Sequence, residues 1–322
     1  MGDASSPASD LKEPLIVRLA APRGFCAGVE RAIRTVEETL ALFGAPVFVR
    51  HEIVHNAHVV ERLKAMGAVF IEEVAEADPR RPLIFSAHGA PQKAFDEARG
   101  RSIAPIDATC PLVLKVHQQI RRSAAKGKHV LLIGHKGHPE VLGALGQAPA
   151  GSVTIIETIA DAECVAPPTF NLSYVTQTTL SIDDATQIVN ALKARFPAIE
   201  GPSRSDICYA TQNRQEAVKL ISSGADKVLV VGSPQSSNSN RLVETAIASG
   251  AKSAALVENP SKFDYSKIQG MRIIGVTAGA STPEYLVESL LAGLASLFRL
   301  EIQTIEKTQE DVFFKTPALL AG

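Results

Sequence analysis

Short apolar runs rich in β-branched residues alternate along the chain with stretches whose apolar positions recur every three or four residues. PVFVR (46–50), HVLLIG (129–134) and KVLVVG (227–232) read as strands, because Val and Ile fit a pleated, buried surface. GVERAIRTVEETLALFG places Val29, Ile33, Val36 and Leu40 on one helical face, and PLVLKVHQQIRRSAAKGK and ATQNRQEAVKLISSGA repeat that character. Further strand-like runs follow (AVFIEE, VTIIE, SAALVE), as do further helices, clearest in DDATQIVNALKARF and PEYLVESLLAGLASLF. Strands alternating with helices predict right-handed βαβ units and parallel sheets, and near-continuous apolar strands predict sheets covered on both faces.

The same succession occurs three times. Each round begins with a strand-like segment ending in cysteine, IVRLAAPRGFC, SIAPIDATC and SRSDIC, followed by a helix. The fold expected is therefore α/β, with three pseudo-repeated modules built on small parallel sheets: residues 15–109 with Cys26, 110–205 with Cys110 and 206–296 with Cys208. Residues 297–322 form a C-terminal tail in this reading. Domain-sized gaps of 84 and 98 residues between the cysteines support the repeat.

Ligands of parallel α/β sheets bind beyond the carboxyl ends of strands. Sorting polar residues by strand end gives Cys26, Cys110 and Cys208 at the first. The second carries His55, His138 and the Ser236-Ser237-Asn238 cluster, and the third His88, Thr178 and Ser281. Arranged about a pseudo-threefold axis, these groups converge. Three thiols leave one over in any disulfide scheme, whereas cysteine thiolates commonly hold iron–sulfur clusters. A four-iron cluster on three cysteines leaves one iron open, which a Lewis-acid site requires. A lone buried cysteine would more simply be a small hydrophobe; three at one place in a repeat argue otherwise. Cys164, in ADAECVAPPT, has no repeat partner and reads as a bystander.

Two patterns compete. His51-Glu52-Ile53-Val54-His55 satisfies the H-E-x-x-H zinc protease signature, with Glu72 or Glu73 as a third ligand. It follows a strand, however, and its β-branched interior does not favour the helix that chemistry needs. His51 then reads as a solvated or hydrogen-bonded neighbour of the site. His135 and His138 in GHKGHPE resemble a metal pair on a less rigid loop.

Composition narrows the classes. The 33 basic and 34 acidic residues give a net charge of −1, no footprint for nucleic acid. Aromatic residues make up 5% without tryptophan, too few for base-stacking platforms. No apolar run reaches the length of a membrane span. The polar leader Met1–Pro14 lacks a secretory core; Gly2 and Ser6 fit a myristoylation pattern formally, but a frayed soluble leader is the simpler expectation.

Taken together, PRGFCAGVERAI, VRHEIVHN, FSAHGA, DATCPLVLKVH, GHKGHPEV, TQTTLS, DICYATQNRQEAV, SSNSNRL, GVTAGAS and EDVFFKTP resemble the 4-hydroxy-3-methylbut-2-enyl diphosphate reductases of the non-mevalonate isoprenoid pathway. The resemblance runs from about Leu15 to Pro317. It implies a three-lobed α/β fold around a [4Fe–4S] cluster held by Cys26, Cys110 and Cys208. It further implies that His55, His88, His138, Ser236, Ser237, Asn238 and Ser281 contact the substrate, chiefly its diphosphate. Glu140 corresponds to the proton-delivering acid and Thr178 to the hydroxyl beside the substrate alcohol. Ala144 departs from the family's frequent Thr near that relay. The implied reaction is a two-electron reductive dehydroxylation giving isopentenyl and dimethylallyl diphosphate. The implied partners are the diphosphate substrate and an electron donor, ferredoxin or flavodoxin, with no nucleic acid and no membrane. The expected state is a cytoplasmic monomer or weak homodimer. A non-catalytic iron–sulfur redox sensor is the second class of function; a sensor needs no substrate pocket.

Overall fold

The computed structural model describes residues 12–318; the expectations for the first eleven residues of the leader, Gly2 and Ser6 included, lie outside the described residues. Twelve strands pair entirely in parallel. In chain order they are β1 (Pro14–Ala21), β2 (Val47–Arg50), β3 (Ala68–Ile71), β4 (Leu83–Phe85), β5 (Pro105–Asp107) and β6 (His129–Ile133). The remainder are β7 (Val153–Ile156), β8 (Leu172–Thr176), β9 (Lys227–Val231), β10 (Ala254–Val257), β11 (Ile273–Ala278) and β12 (Arg299–Glu306). They form three sheets with orders β3-β2-β4-β5, β7-β6-β8 and β10-β9-β11-β1-β12.

The helices of the first third are α1 (Ala27–Phe43), α2 (Ala57–Ala65) and α3 (Gln92–Gly100). Those of the second are α4 (Pro111–Ala125), α5 (Pro139–Leu145), α6 (Ile159–Cys164) and α7 (Ile182–Arg195). The last third adds α8 (Tyr209–Ser222), α9 (Ser237–Ala248) and α10 (Glu284–Leu297). Side-chain alternation sends each strand's residues into two cores. On β2, Val47 and Val49 join Ile33, Val36 and Leu40 of α1, while Phe48 faces the α3 side with Ala94 and Ala98. On β6, Leu131 and Ile133 meet α7, whereas Val130 and Leu132 meet α4 and α5. On β1, Leu15, Val17 and Leu19 pack against α10, and Ala20 against α8. Covering on both faces is the reason the strands read as continuous apolar runs.

Strand pairing departs from the linear division in three places. β1, expected in the first module, lies in the third sheet between β11 and β12, pairing Ile16 with Ile273 and with Glu301. The segment read as a C-terminal tail outside the three modules contributes β12, an eight-residue strand on the outer edge of that sheet. The segment SRSDIC forms no strand: only Glu200 bridges to Ser173, and the chain then leaves the sheet. Gly201 and Pro202 follow at that point, and proline has no N–H to continue a ladder. The physical repeat is thus shifted by one strand. Each cysteine lies where the chain passes from one sheet to the first helix covering the next. The departure is from edge strands β5 and β8 for Cys110 and Cys208 and from interior β1 for Cys26.

Candidate functional site

All three repeat cysteines cap helices. Cys26 precedes α1, Cys110 precedes α4 with Pro111 in the first turn, and Cys208 precedes α8. Their backbones are tied to the neighbouring strand ends in the same manner. The N–H of Cys26 donates to the Ala280 carbonyl, that of Cys110 to Ala87 and that of Cys208 to Thr178, at 3.2, 3.0 and 3.0 Å. These acceptors adjoin or are the polar residues Ser281, His88 and Thr178. The loops carrying thiols and the loops carrying polar groups are therefore one structure.

Every residue expected to hold the cluster, contact the substrate or deliver the proton lines a single cavity of about 690 Å³ of atom-free space, part of it continuous with solvent. Cys26, Cys110 and Cys208 share it with His55, His88, His138, Glu140, Thr178, Ser236, Ser237, Asn238 and Ser281. Glycine at position 28 keeps room between the thiols: a Cβ there would lie 2.6 Å from Cys110 Sγ and 3.9 Å from Cys26 Sγ. Burial pushes the Cys110 thiol up to about 12 and the Cys208 thiol up to about 11, with the Cys26 charge adding to both. Bare, these groups stay protonated; a cationic metal group among them reverses that preference. Cys208 Sγ also lies 3.2 Å from the Thr211 hydroxyl and accepts from its N–H.

The imidazoles form a second wall. His55 and His88 stack with ring centroids 4.1 Å apart, and His138 stands edge-on to both at 5.6 and 5.9 Å. His138 Nδ1 accepts the Glu140 N–H at 3.1 Å, which assigns the proton of the neutral ring to Nε2. Burial holds the His138 pKa down at about 4 and that of half-buried His88 well below its ordinary value, with neighbouring imidazoles lowering both further. Glu140 is 4% exposed. Its Oε1 accepts the Thr178 N–H at 2.6 Å and its Oε2 the Thr178 hydroxyl at 3.0 Å. Burial still wins over those hydrogen bonds and, helped by the Asp206 charge, raises the carboxyl to about 7.

Opposite lies the start of α9. Ser236 caps it, its hydroxyl accepting the Ser239 N–H, and Asn238 Oδ1 accepts the Ala280 N–H at 2.9 Å. Three buried polar atoms of this cavity lack partners: His55 Nε2, Ser237 Oγ and Asn238 Nδ2. An unpaired buried polar atom is costly, so these mark where a polar ligand belongs. Among the described residues, no Lys or Arg lines the cavity.

The competing motifs separate. His51 has φ 59° and its Nδ1 pairs with Glu72 Oε2 at 2.8 Å, outside the cavity, whereas His55 turns inward and pairs with Glu52. Residues 51–56 form no helix, so the two histidines never share a face. His135 likewise leaves the cavity, its Nδ1 on Glu157 and its Nε2 near Arg241. Cys164 is exposed at the last residue of α6. Sequence reasoning missed Thr179 and Thr211 in the lining and Asp206 behind Glu140. A threonine three residues after an N-capping cysteine was the available signal for Thr211; nothing in SRSDIC marks Asp206 as buried.

Fold and cavity together define an α/β protein of three parallel sheets whose common site collects one cysteine and a set of imidazole, hydroxyl or amide groups from each third of the chain. Residues 17–295 match the family model described as LytB protein, and the chain belongs to that family. It is 53% identical to a 4-hydroxy-3-methylbut-2-enyl diphosphate reductase of Hyphomonas neptunium, over 97% of this chain and 99% of the relative. A second relative, reductase 2 of Rhodopseudomonas palustris, is 53% identical over 96% and 97%. Among solved structures, the E-1-hydroxy-2-methyl-but-2-enyl-4-diphosphate reductase of Plasmodium falciparum superposes with a TM-score of 0.91 at 39% identity, covering 97% of both chains. A further structure, of the terminal enzyme of the non-mevalonate pathway, matches at TM-score 0.63 and 29% identity, over 88% of this chain and 99% of that one.

Proposed function

We propose that the chain reduces 4-hydroxy-3-methylbut-2-enyl diphosphate to isopentenyl and dimethylallyl diphosphate, with Cys26, Cys110 and Cys208 holding a [4Fe–4S] cluster. The single observation carrying this is the convergence of three helix-capping thiols with a buried acid and unpartnered donors in one cavity. The donor set suits the cluster: helix N-termini favour thiolates, and Gly28 leaves the space between two sulfurs open. When bound, such a cluster supplies single electrons and an iron position without a protein ligand.

The chain's own groups do the rest. Ser237 Oγ and Asn238 Nδ2 gain acceptors when diphosphate oxygens arrive, and the first turn of α9 adds its dipole. His55, whose Nδ1 faces the Glu52 carboxylate, donates from Nε2 only as the imidazolium. With no Lys or Arg among the described lining residues, the anion is met by dipoles and imidazole N–H groups. A bound diphosphate raises the histidine pKa values, so binding takes up protons. Hydroxide is a poor leaving group, and its departure needs acid. Glu140, near half-protonated at neutral pH, gives its proton to Thr178 Oγ1 as the hydroxyl hydrogen of Thr178 passes to the substrate oxygen. Water thereby departs, Thr178 stays neutral and Glu140 is left as the carboxylate. The partners are the diphosphate and an electron donor of ferredoxin or flavodoxin type. No described helix is long and apolar enough to cross a membrane. The unpartnered donors favour this reading over a redox sensor.

Anaerobic purification with iron and sulfide analysis, followed by dithionite-driven turnover of the diphosphate, tests the proposal. Four irons per chain and formation of both products are expected. A colourless zinc protein, or a cluster protein that leaves the substrate unchanged, would overturn it.

A further inference from the structure

Three cations link the cysteine loops in a ring. Arg31, on α1 behind Cys26, is buried and donates to the Thr109 carbonyl at 2.9 Å and the Asp107 carbonyl at 3.3 Å, just before Cys110. Lys115 occupies the equivalent place on α4 behind Cys110. It donates to the Arg204 and Ser205 carbonyls at 3.2 Å each and lies 3.2 Å from Asp206, just before Cys208. Arg214, on α8 behind Cys208, has no exposed side-chain surface. It donates to Gly24 at 2.8 and 3.1 Å and to Phe25 at 3.1 Å, just before Cys26, which closes the circle.

Two members are also gripped from outside. Glu310 pairs with Arg214 at 3.1 Å, and the Lys315 carbonyl accepts Arg31 Nε at 2.8 Å. The tail motif EDVFFKTP, unused by the chemistry above, therefore lies across the ring. A buried guanidinium without partners costs several kcal/mol, and neither arginine touches the cavity, so their burial answers to these carbonyls. A forked guanidinium also fixes two acceptors in direction as well as distance.

We propose that Arg31, Lys115 and Arg214 are positioning residues that set the mutual spacing of Cys26, Cys110 and Cys208, with residues 310–315 as a clasp holding two of the three. This rests on reading those cysteines as cluster ligands. Each thiol comes from a different third of the chain, and its own backbone bond reaches a strand end, not another cysteine's loop. The ring joins each loop to the next through one side chain.

The test uses the full-length protein, reconstituted anaerobically with iron and sulfide. Lys115→Met and Glu310→Gln remove one link and one grip at partly accessible positions, and Arg214→Lys keeps charge but loses the fork. Lys115→Arg is the conservative control. Outer groups that orient ligands typically change metal affinity about 10–100-fold. We expect the first three variants to release iron to a chelator about 10-fold faster or more, with an altered EPR signal of the reduced cluster. Their metal-free forms should melt within a few degrees of wild type, and Lys115→Arg should restore wild-type release. Unchanged release and spectra in all three variants would overturn the ring, as would faster release fully matched by loss of metal-free stability. If wild type itself takes up no iron and sulfide, the ligand reading fails instead.

Discussion

Glu140→Gln separates proton delivery from architecture, because glutamine retains the acceptor for the Thr178 N–H and nearly the same volume. A carboxyl held at about 7 in the fold and near 4.5 in the unfolded chain has a definite linkage signature. The raised value means its contribution is fully present below the unfolded pKa and is lost as pH rises through the folded one. Between those limits the unfolded form is ionised while the folded form keeps its proton, so stability falls by up to about 1.4 kcal/mol per pH unit. The total amounts to about 3 kcal/mol. Urea unfolding of wild type and Glu140→Gln at several values from about pH 5 to about pH 8 should show wild type losing about 2–3 kcal/mol relative to the variant. All other titratable groups are common to both proteins, so the difference isolates Glu140. Turnover should fall by about 10²-fold or more, the usual contribution of a positioned acid, while cluster content and diphosphate binding persist. Near-normal turnover, or a stability difference independent of pH, would refute the assignment.

Gly28→Ala should fold but lose iron, since its Cβ would lie 2.6 Å from Cys110 Sγ; iron analysis and visible absorption of the reconstituted protein check this. Asn238→Ala removes an unpartnered donor, and about 10-fold weaker diphosphate binding by calorimetry is expected with the cluster spectrum unchanged. Cys164→Ser should keep iron, spectrum and turnover, because that thiol is exposed at the end of α6 and away from the cavity.

Much of the site was legible because its residues are marked locally. A cysteine followed by an amphipathic run is a helix start, a polar cluster after an apolar run is a strand end, and both signals recur three times. The HEIVH pair was separable in advance by context, and the structure supplies the reason: His51 adopts a left-handed backbone that breaks any shared helical face. The role of Glu140 came from the family resemblance; the surroundings that keep its proton were not legible. A glutamate in PEV carries no sign of being 4% exposed, and its pKa comes from burial together with an Asp206 contributed by a segment distant in the chain.

By itself the sequence determined most of the elements, the place of each cysteine just before a helix and, Glu140 apart, most of the polar residues that meet in the cavity. These follow from short-range rules: side-chain period, capping and turn chemistry. Only the tertiary structure decided that β1 serves the third sheet, that the tail supplies β12, and that Arg31, Lys115 and Arg214 each reach the next cysteine's loop. An apolar alternating run specifies a strand but not its neighbour, because parallel pairing joins segments far apart in the chain. Ionisation and partner choice depend likewise on what other parts of the chain bring to within a few ångströms.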